Sequence, residues 1–273
     1  MPMQPPRRGP GPRPRPYAAK VRPADGAVES LWISGRRPVL EALRAGLAAR
    51  RLLLRGPVTG GLLADLRQEA RRQGCLVEEV DNAVLDRVMR HTEHRGAALE
   101  LAPPAERALR RELPELEGRP GARPLLLVLD GLQDPHNLGA AARSAEAAGV
   151  LAIVTGRWAQ APLGDAAFRA SAGALAWLPV LVAEDLAADL DWLRGRGYCL
   201  VGLSERATRG LFEPAPEGPL ALVLGGEGRG LSQRVREHLD LELRIPMRGR
   251  VASLNASVAA AVVLFHLAGR EEA

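Results

Sequence analysis

Three short segments carry most of the side chains in this sequence that could do chemistry, and each follows an apolar run. The first is Asp130-Gly131-Leu132-Gln133-Asp134-Pro135-His136-Asn137-Leu138-Gly139, leading into a stretch of small residues with Arg143 and Ser144. Asn137 suits a helix N-cap, where a side-chain oxygen accepts from free amides, or a polar site group. Arg143 lies four positions after Gly139 on one helical face, where glycine and alanine leave room for a substrate; as a bare helix cation it would simply be solvated. The second segment is Gly225-Gly226-Glu227-Gly228-Arg229-Gly230, directly after Leu224. Glycines at a strand end let backbone amides approach a ligand with no Cβ in the way. Glu227, its only acid, can cap the next helix or orient a polar group. The third runs from Ile245-Pro246-Met247 through Arg248-Gly249-Arg250 to Ser253-Leu254-Asn255. Ser253 can cap the last helix. Ile245, Met247 and Leu254 offer apolar surface beside free backbone groups, a combination that can clasp an adenine ring or pack as ordinary core.

Several familiar chemistries do not fit. The glycine spacing is not G-x-G-x-x-G, and Leu231 follows Gly230 where a P-loop needs lysine. No Ser/His/Asp set is apparent. His91 and His94 have H-x-x-H spacing but lack a third nitrogen or sulfur ligand, so a polar turn or an RNA contact suits His91-Thr92-Glu93-His94-Arg95-Gly96 better than a metal, and His136, His238 and His266 are widely spread. Cys75 and Cys199 read as reduced buried thiols.

The elements that must position these residues fall into two patterns. Strands are expected at Leu31–Ile33, Arg51–Leu54, Cys75–Val80 and Ala97–Leu101, with helices at Pro38–Leu43, Leu62–Arg72 and Asp81–Arg90 between them, which makes a small α/β unit. Residues 103–123, with five prolines up to Pro124 and many charges, read as a linker with a short helical piece around Glu106–Glu112. Beyond it strands at Leu125–Leu129, Val150–Val154, Leu178–Val182, Tyr198–Leu203, Leu220–Leu224 and Leu241–Ile245 alternate with helices at Leu138–Ala148, Ala166–Ala174, Leu186–Arg194, Leu231–His238 and Ser253–Leu267. Such alternation argues a parallel sheet covered on both faces, whose ligands collect beyond the carboxyl ends of the strands.

The formal charge is +5, and residues 1–28 hold six cations (Arg7, Arg8, Arg13, Arg15, Lys20, Arg22) against Asp25, which equals that excess. Eight prolines among them prevent a helix, so this arm is expected to be disordered, either meeting phosphate by counterion release or merely solubilising the chain. No apolar run approaches the roughly 20 residues of a membrane span and the start lacks a signal-peptide centre, so a cytoplasmic protein is expected. The expected organisation is an arm at 1–28, a first domain at 29–102, a linker at 103–122 and a second domain at 123–273.

In this order and spacing, DPHNLGAAARSAEAAGV, LVLGGEGRGLS and IPMRGRVASLNASVAAAV resemble the three motifs of the SpoU/TrmH branch of the SPOUT methyltransferases, over residues 123–273. Residues 30–102, with GRRPVLEAL near the start and HRG near the end, are similar to the substrate-binding domain of that branch's large-subunit rRNA guanosine-2′-O-methyltransferases, with Arg95 where the family usually has glutamine. The resemblance implies an α/β fold with a deep trefoil knot in the C-terminal parallel-sheet domain, preceded by a small RNA-binding domain. It also implies a homodimer with the site near its interface, and S-adenosylmethionine bound bent within the knot, without a metal. Carried over by position, the cofactor pocket is Leu224, Gly225, Ile245, Met247 and Leu254, and the catalytic group is Asn137, Arg143, Glu227, Ser253 and Asn255. The implied reaction is methylation of a ribose 2′-hydroxyl in RNA, a guanosine of 23S rRNA. The alternatives are a tRNA ribose, or an RNA-binding relative without turnover; the extra first domain favours rRNA. Arg143 is the family's proposed base, yet a guanidinium with a pKa above about 12 accepts protons poorly. Pinning a substrate phosphate and stabilising the developing alkoxide suits it better, with a phosphate oxygen or water removing the proton.

Overall fold

Strand residues that alternate between two apolar cores set the architecture of this computed structural model, which describes residues 30–56, 61–158, 160–214, 216–251 and 253–269. The basic arm at 1–28 lies outside the described residues. The first unit is β1 (Leu31–Ser34), α1 (Arg36–Arg44), β2 (Ala49–Arg55), α2 (Leu62–Arg72), β3 (Leu76–Val80), α3 (Asn82–Met89) and β4 (Ala97–Leu101). Its four strands order as β1-β4-β2-β3, with β4 antiparallel to both β1 and β2, and β2 parallel to β3. Every element expected here is present.

The stretch expected as a linker is more structured than its prolines suggest. It contains α4 (Leu109–Glu117), with Pro114 inside it and Leu109, Leu113 and Leu116 buried. The preceding residues join a sheet edge: Val182 N donates to Arg107 O at 2.8 Å. Buried Arg107 pairs with Glu112 at 3.1 Å, so its charge is compensated where it leaves water. The spacing of three leucines outweighs one helix-breaking proline because the buried face supplies the stability.

The second unit holds β5 (Leu125–Asp130), α5 (Pro135–Ala147), β6 (Ala152–Gly156), α6 (Asp165–Ala170), a 3-10 turn at Ala174–Ala176, β7 (Val180–Ala183) and α7 (Leu186–Gly195). Then follow β8 (Cys199–Leu203), β9 (Arg209–Gly210), β10 (Leu220–Gly225), α8 (Gln233–Arg236), β11 (Leu241–Arg244) and α9 (Ala256–Ala268). The strands are parallel and order as β7-β6-β5-β10-β8-β11-β9. Leu125, Leu127 and Leu129 point into one core with α5 and α9, whereas Leu126 and Val128 point into the other with α4 and α7. The first core continues into the N-terminal unit through Ile33, Leu40 and Phe168. After β10 the chain passes through α8, on the second core, and β11 before α9 returns to α5 on the first. Among the described residues no helix is long and apolar enough to cross a membrane. Cys75 and Cys199 are both free, and burial raises the pKa of each thiol.

Candidate active site

Parallel pairing brings the first two chemical segments together. β5 and β10 run side by side in register to Asp130↔Gly225, so their loops leave the sheet at one edge. Asp130 joins them: its carbonyl accepts from Gly226 N at 2.9 Å and its Oδ2 from Ser232 N at 2.6 Å. The glycines are used within the chain itself. A Cβ on Gly225 would lie 2.1 Å from the carbonyl carbon of Gly230, and one on Gly226 would lie 2.4 Å from Gly131 O. The turn closes on itself, with Gly230 N donating to Gly226 O at 2.9 Å. Glu227 projects from its exposed tip. Glu227 does not cap the next helix; that helix begins at Gln233, not Leu231, and Ser232 caps it, accepting from Val235 N at 3.3 Å.

The first segment also differs from its sequence reading. α5 starts at Pro135, and its N-cap is Asp134, whose Oδ1 accepts from His136 N at 2.9 Å. Proline at the first helical position needs no amide partner, and this favours the earlier start. Asn137 is therefore inside the first turn and buried. Its Nδ2 donates to Asp134 Oδ2 at 3.0 Å, and its Oδ1 accepts from Asn255 Nδ2 at 2.8 Å and from Ser257 Oγ at 3.5 Å. Asn255, not Ser253, caps α9: its Oδ1 accepts from Ser257 N at 2.9 Å and Val258 N at 3.4 Å. The first and third segments are thus joined by an amide pair between buried Asn137 and exposed Asn255.

Arg143 stands apart. It is exposed on α5 and makes no hydrogen bond or ion pair among the described residues. The small-residue room beside it is filled from within, since a Cβ on Gly139 would lie 2.4 Å from Ala167 O on α6. Ser253 is likewise exposed and outside the amide network. Leu224 is a core residue and Ile245 is half-buried against the same core, whereas Met247 and Leu254 are 39% and 38% exposed. Among the described residues the backbone of 246–251, 253 and 254 makes no hydrogen bonds, so apolar side chains and free donors and acceptors lie side by side there. That surface fits an adenine-bearing ligand.

Two family models match, "SpoU rRNA Methylase family" over residues 124–265 and "RNA 2'-O ribose methyltransferase substrate binding" over residues 32–107. The chain belongs to the SpoU rRNA methylase family. It is 39% identical over 239 residues to the 23S rRNA (guanosine-2'-O-)-methyltransferase RlmB of Xylella fastidiosa, covering 86% of this chain and 94% of that protein. Among solved structures it resembles the SpoU methyltransferase AviRb of Streptomyces viridochromogenes in complex with AdoMet, with TM-score 0.74, 25% identity and 90% and 91% of the two chains covered. An RNA 2'-O ribose methyltransferase structure matches with TM-score 0.72 and 31% identity over 89% of each chain.

Within this SpoU chain, four residues join the site that sequence reasoning left without a role: Asp130, Asp134, Ser257 and Gln160. Asp134 was findable, because Asp-Pro before an apolar helix is an N-terminal signal. Gln160 was not: it donates to Leu129 O at 3.1 Å, and its Oε1 is buried with no hydrogen-bond partner. His91 and His94 are held by backbone and carboxylate partners. Nδ1 of each accepts from the amide two residues on, at 3.1 and 3.0 Å, while Nε2 meets Asp165 at 2.8 Å and Asp86 at 2.9 Å respectively.

Proposed function

We propose that this chain transfers the methyl group of S-adenosylmethionine to a ribose 2′-hydroxyl of RNA, with a guanosine of 23S rRNA as the target. The observation that carries this reading is the Asn137–Asn255 bond, which brings the first and third family motifs together beside backbone at 246–251 and 253–254 that makes no hydrogen bond among the described residues. The RlmB relative, matched across both units, supports rRNA as the substrate. Bound there, S-adenosylmethionine supplies an electrophilic methyl on a sulfonium.

In this reading Ile245, Met247 and Leu254 flank the adenine, Leu224 and Gly225 form the floor, and the amides and carbonyls of 246–251 and 253–254 meet its edge. The chain's crossing from β10 through β11 to α9 is the part we take as the trefoil knot. Asn137 and Asn255 fix the motif loops against each other, so the reactants meet in a built geometry; such placement supplies a large part of an enzymatic acceleration. Arg143 holds the substrate phosphate and stabilises the developing alkoxide, while a phosphate oxygen or water takes the proton. Glu227 and Ser253 complete the polar side. A second copy of the chain belongs over α9: Val258, Val262 and Phe265 form an exposed apolar stripe there, with Phe212 exposed nearby against His266. Residues 29–102 deliver the RNA, as a domain distinct from the methyl-transfer domain at 123–273.

The decisive experiment is incubation with labelled S-adenosylmethionine and either total rRNA or total tRNA, followed by mapping of ribose methylation. Label in 23S rRNA at a guanosine is the expected result; label confined to tRNA, or none, overturns the reading. Arg143→Lys retains most activity if charge alone suffices, whereas near-total loss with RNA binding intact defeats the charge account. Light scattering tests the second copy, and a monomer at micromolar concentration overturns it.

A further inference from the structure

A group of cations outside the methyl-transfer site lies at one end of the N-terminal sheet. Arg36 follows β1, Arg55 ends β2, and Arg90 and Arg95 bracket the loop from α3 to β4. Arg36 Nε donates to Arg95 O at 2.9 Å, and Arg55 N donates to Gly96 O at 3.0 Å. A Cβ on Gly96 would lie 3.3 Å from the Arg55 Cβ, which places Arg55 directly beside the residue that follows Arg95. Arg55, Arg90 and Arg95 are exposed, and their side chains make no hydrogen bond or ion pair among the described residues. Other arginines do find carboxylates, as Arg51 does with Glu100 and Arg110 with Asp189.

The backbone adds an independent observation. Arg90 and Arg95 have φ of 58° and 52°, the left-handed region that glycine adopts most readily. The chain thus keeps two long cations where glycine would be less strained, and neither side chain returns a hydrogen bond or ion pair to the described residues. Strain held at exposed, unpartnered groups points to a use outside the fold.

The loop is fastened to the methyl-transfer unit, because Ser34 N and His91 Nε2 meet the two oxygens of Asp165 at 2.6 and 2.8 Å, and Arg169 pairs with Glu93 at 3.0 Å. Asp165 and Arg169 belong to α6, which packs closely on α5, the helix of Arg143. The cation cluster is therefore held at a set offset from Arg143.

We propose that Arg55, Arg90 and Arg95 clamp backbone phosphates of the substrate RNA at a point remote from the methylated ribose, setting which nucleotide reaches Arg143. This rests on the RNA-methyltransferase reading above. Unpaired guanidinium groups suit phosphate because each offers several donors in a planar fork.

The test uses the full-length protein, 23S rRNA transcript as probe, and a salt series from about 50 to 200 mM, a range over which phosphate contacts dominate the change in affinity. Arg90→Gly combined with Arg95→Gly removes both cations and relieves both left-handed positions. The clamp predicts at least about tenfold weaker binding and a log K versus log salt slope shallower by about 1.5, at roughly 0.7 to 0.9 per lost contact. It also predicts a Tm no lower than that of the parent. Arg55→Gln weakens binding in the same direction, while Arg111→Gln, on α4 outside the cluster, leaves it unchanged. Unaltered affinity and slope overturn the clamp, as does an equal loss in Arg111→Gln; a lowered Tm with unchanged slope assigns the loop to the fold instead. Partnering with an acidic protein is the reading left if rRNA binding is untouched. Methyl transfer by the parent separates the two levels: if the parent methylates rRNA and the variants bind like it, only the clamp falls, and if the parent transfers nothing to RNA, both readings fall together.

Discussion

The two halves of the polar site are built on opposite principles. Asn137 and Asn255 are joined at 2.8 Å and tied onward to Asp134 and Ser257, so their positions are set by hydrogen bonds inside the chain. Arg143, Glu227 and Ser253 are exposed and belong to no such network among the described residues. Buried Asn137 left without its partner is costly, whereas an exposed cation costs the fold little. On the proposed function, the contrast separates a scaffold half, whose loss is expected to harm the fold and the activity together, from a proposed reacting half, whose loss is expected to harm activity alone.

Four substitutions sharpen or break that contrast. Arg143→Ala should lower kcat/KM by about 10²- to 10³-fold, or about 3 to 4 kcal/mol of transition-state stabilisation, with Tm unchanged. A parallel fall in Tm would move Arg143 to the scaffold half. Gly225→Ala forces a Cβ to 2.1 Å from backbone, so a loss of about 3 kcal/mol in chemical denaturation is expected; a wild-type midpoint would mean the turn opens freely. Asn255→Ala removes the α9 cap and the partner of Asn137 at once, for about 2 kcal/mol together with lost methyl transfer. If only activity changed, the amide pair would belong with the reacting half. Ser253→Ala should shift stability by no more than about 0.5 kcal/mol, since Asn255 is the cap; a loss as large as that of Asn255→Ala would reverse the capping assignment.

Much of the fold was legible because strand and helix carry different apolar periods. Leu125–Leu129 reads as an unbroken apolar run and is buried on both sides, facing two cores by turns. The linker was less legible: five prolines up to Pro124 obscured the Leu109, Leu113 and Leu116 stripe, which gains its stability by packing into the second core with Leu181 and Leu190. Helix starts were misplaced by a few residues where capping residues compete. Asn137 and Asp134 both suit a cap, and so do Ser253 and Asn255; side-chain reach, not residue type, decided between them.

From the sequence alone came the alternation of strand and helix, the three motif segments with their order, and the family to which they belong. Those properties are local, written in apolar period, glycine placement and motif spacing. Only the tertiary structure decided that Asn137 meets Asn255, that Gly139 and Gly225 are filled by the chain's own backbone, and that Arg143 is left free. It also decided that the strained arginines at 90 and 95 share an edge fastened to α6 through Asp165. These are meetings between residues far apart in the chain, for Asn137 and Asn255 a separation of 118 positions, and no local pattern encodes the distance across a packed sheet.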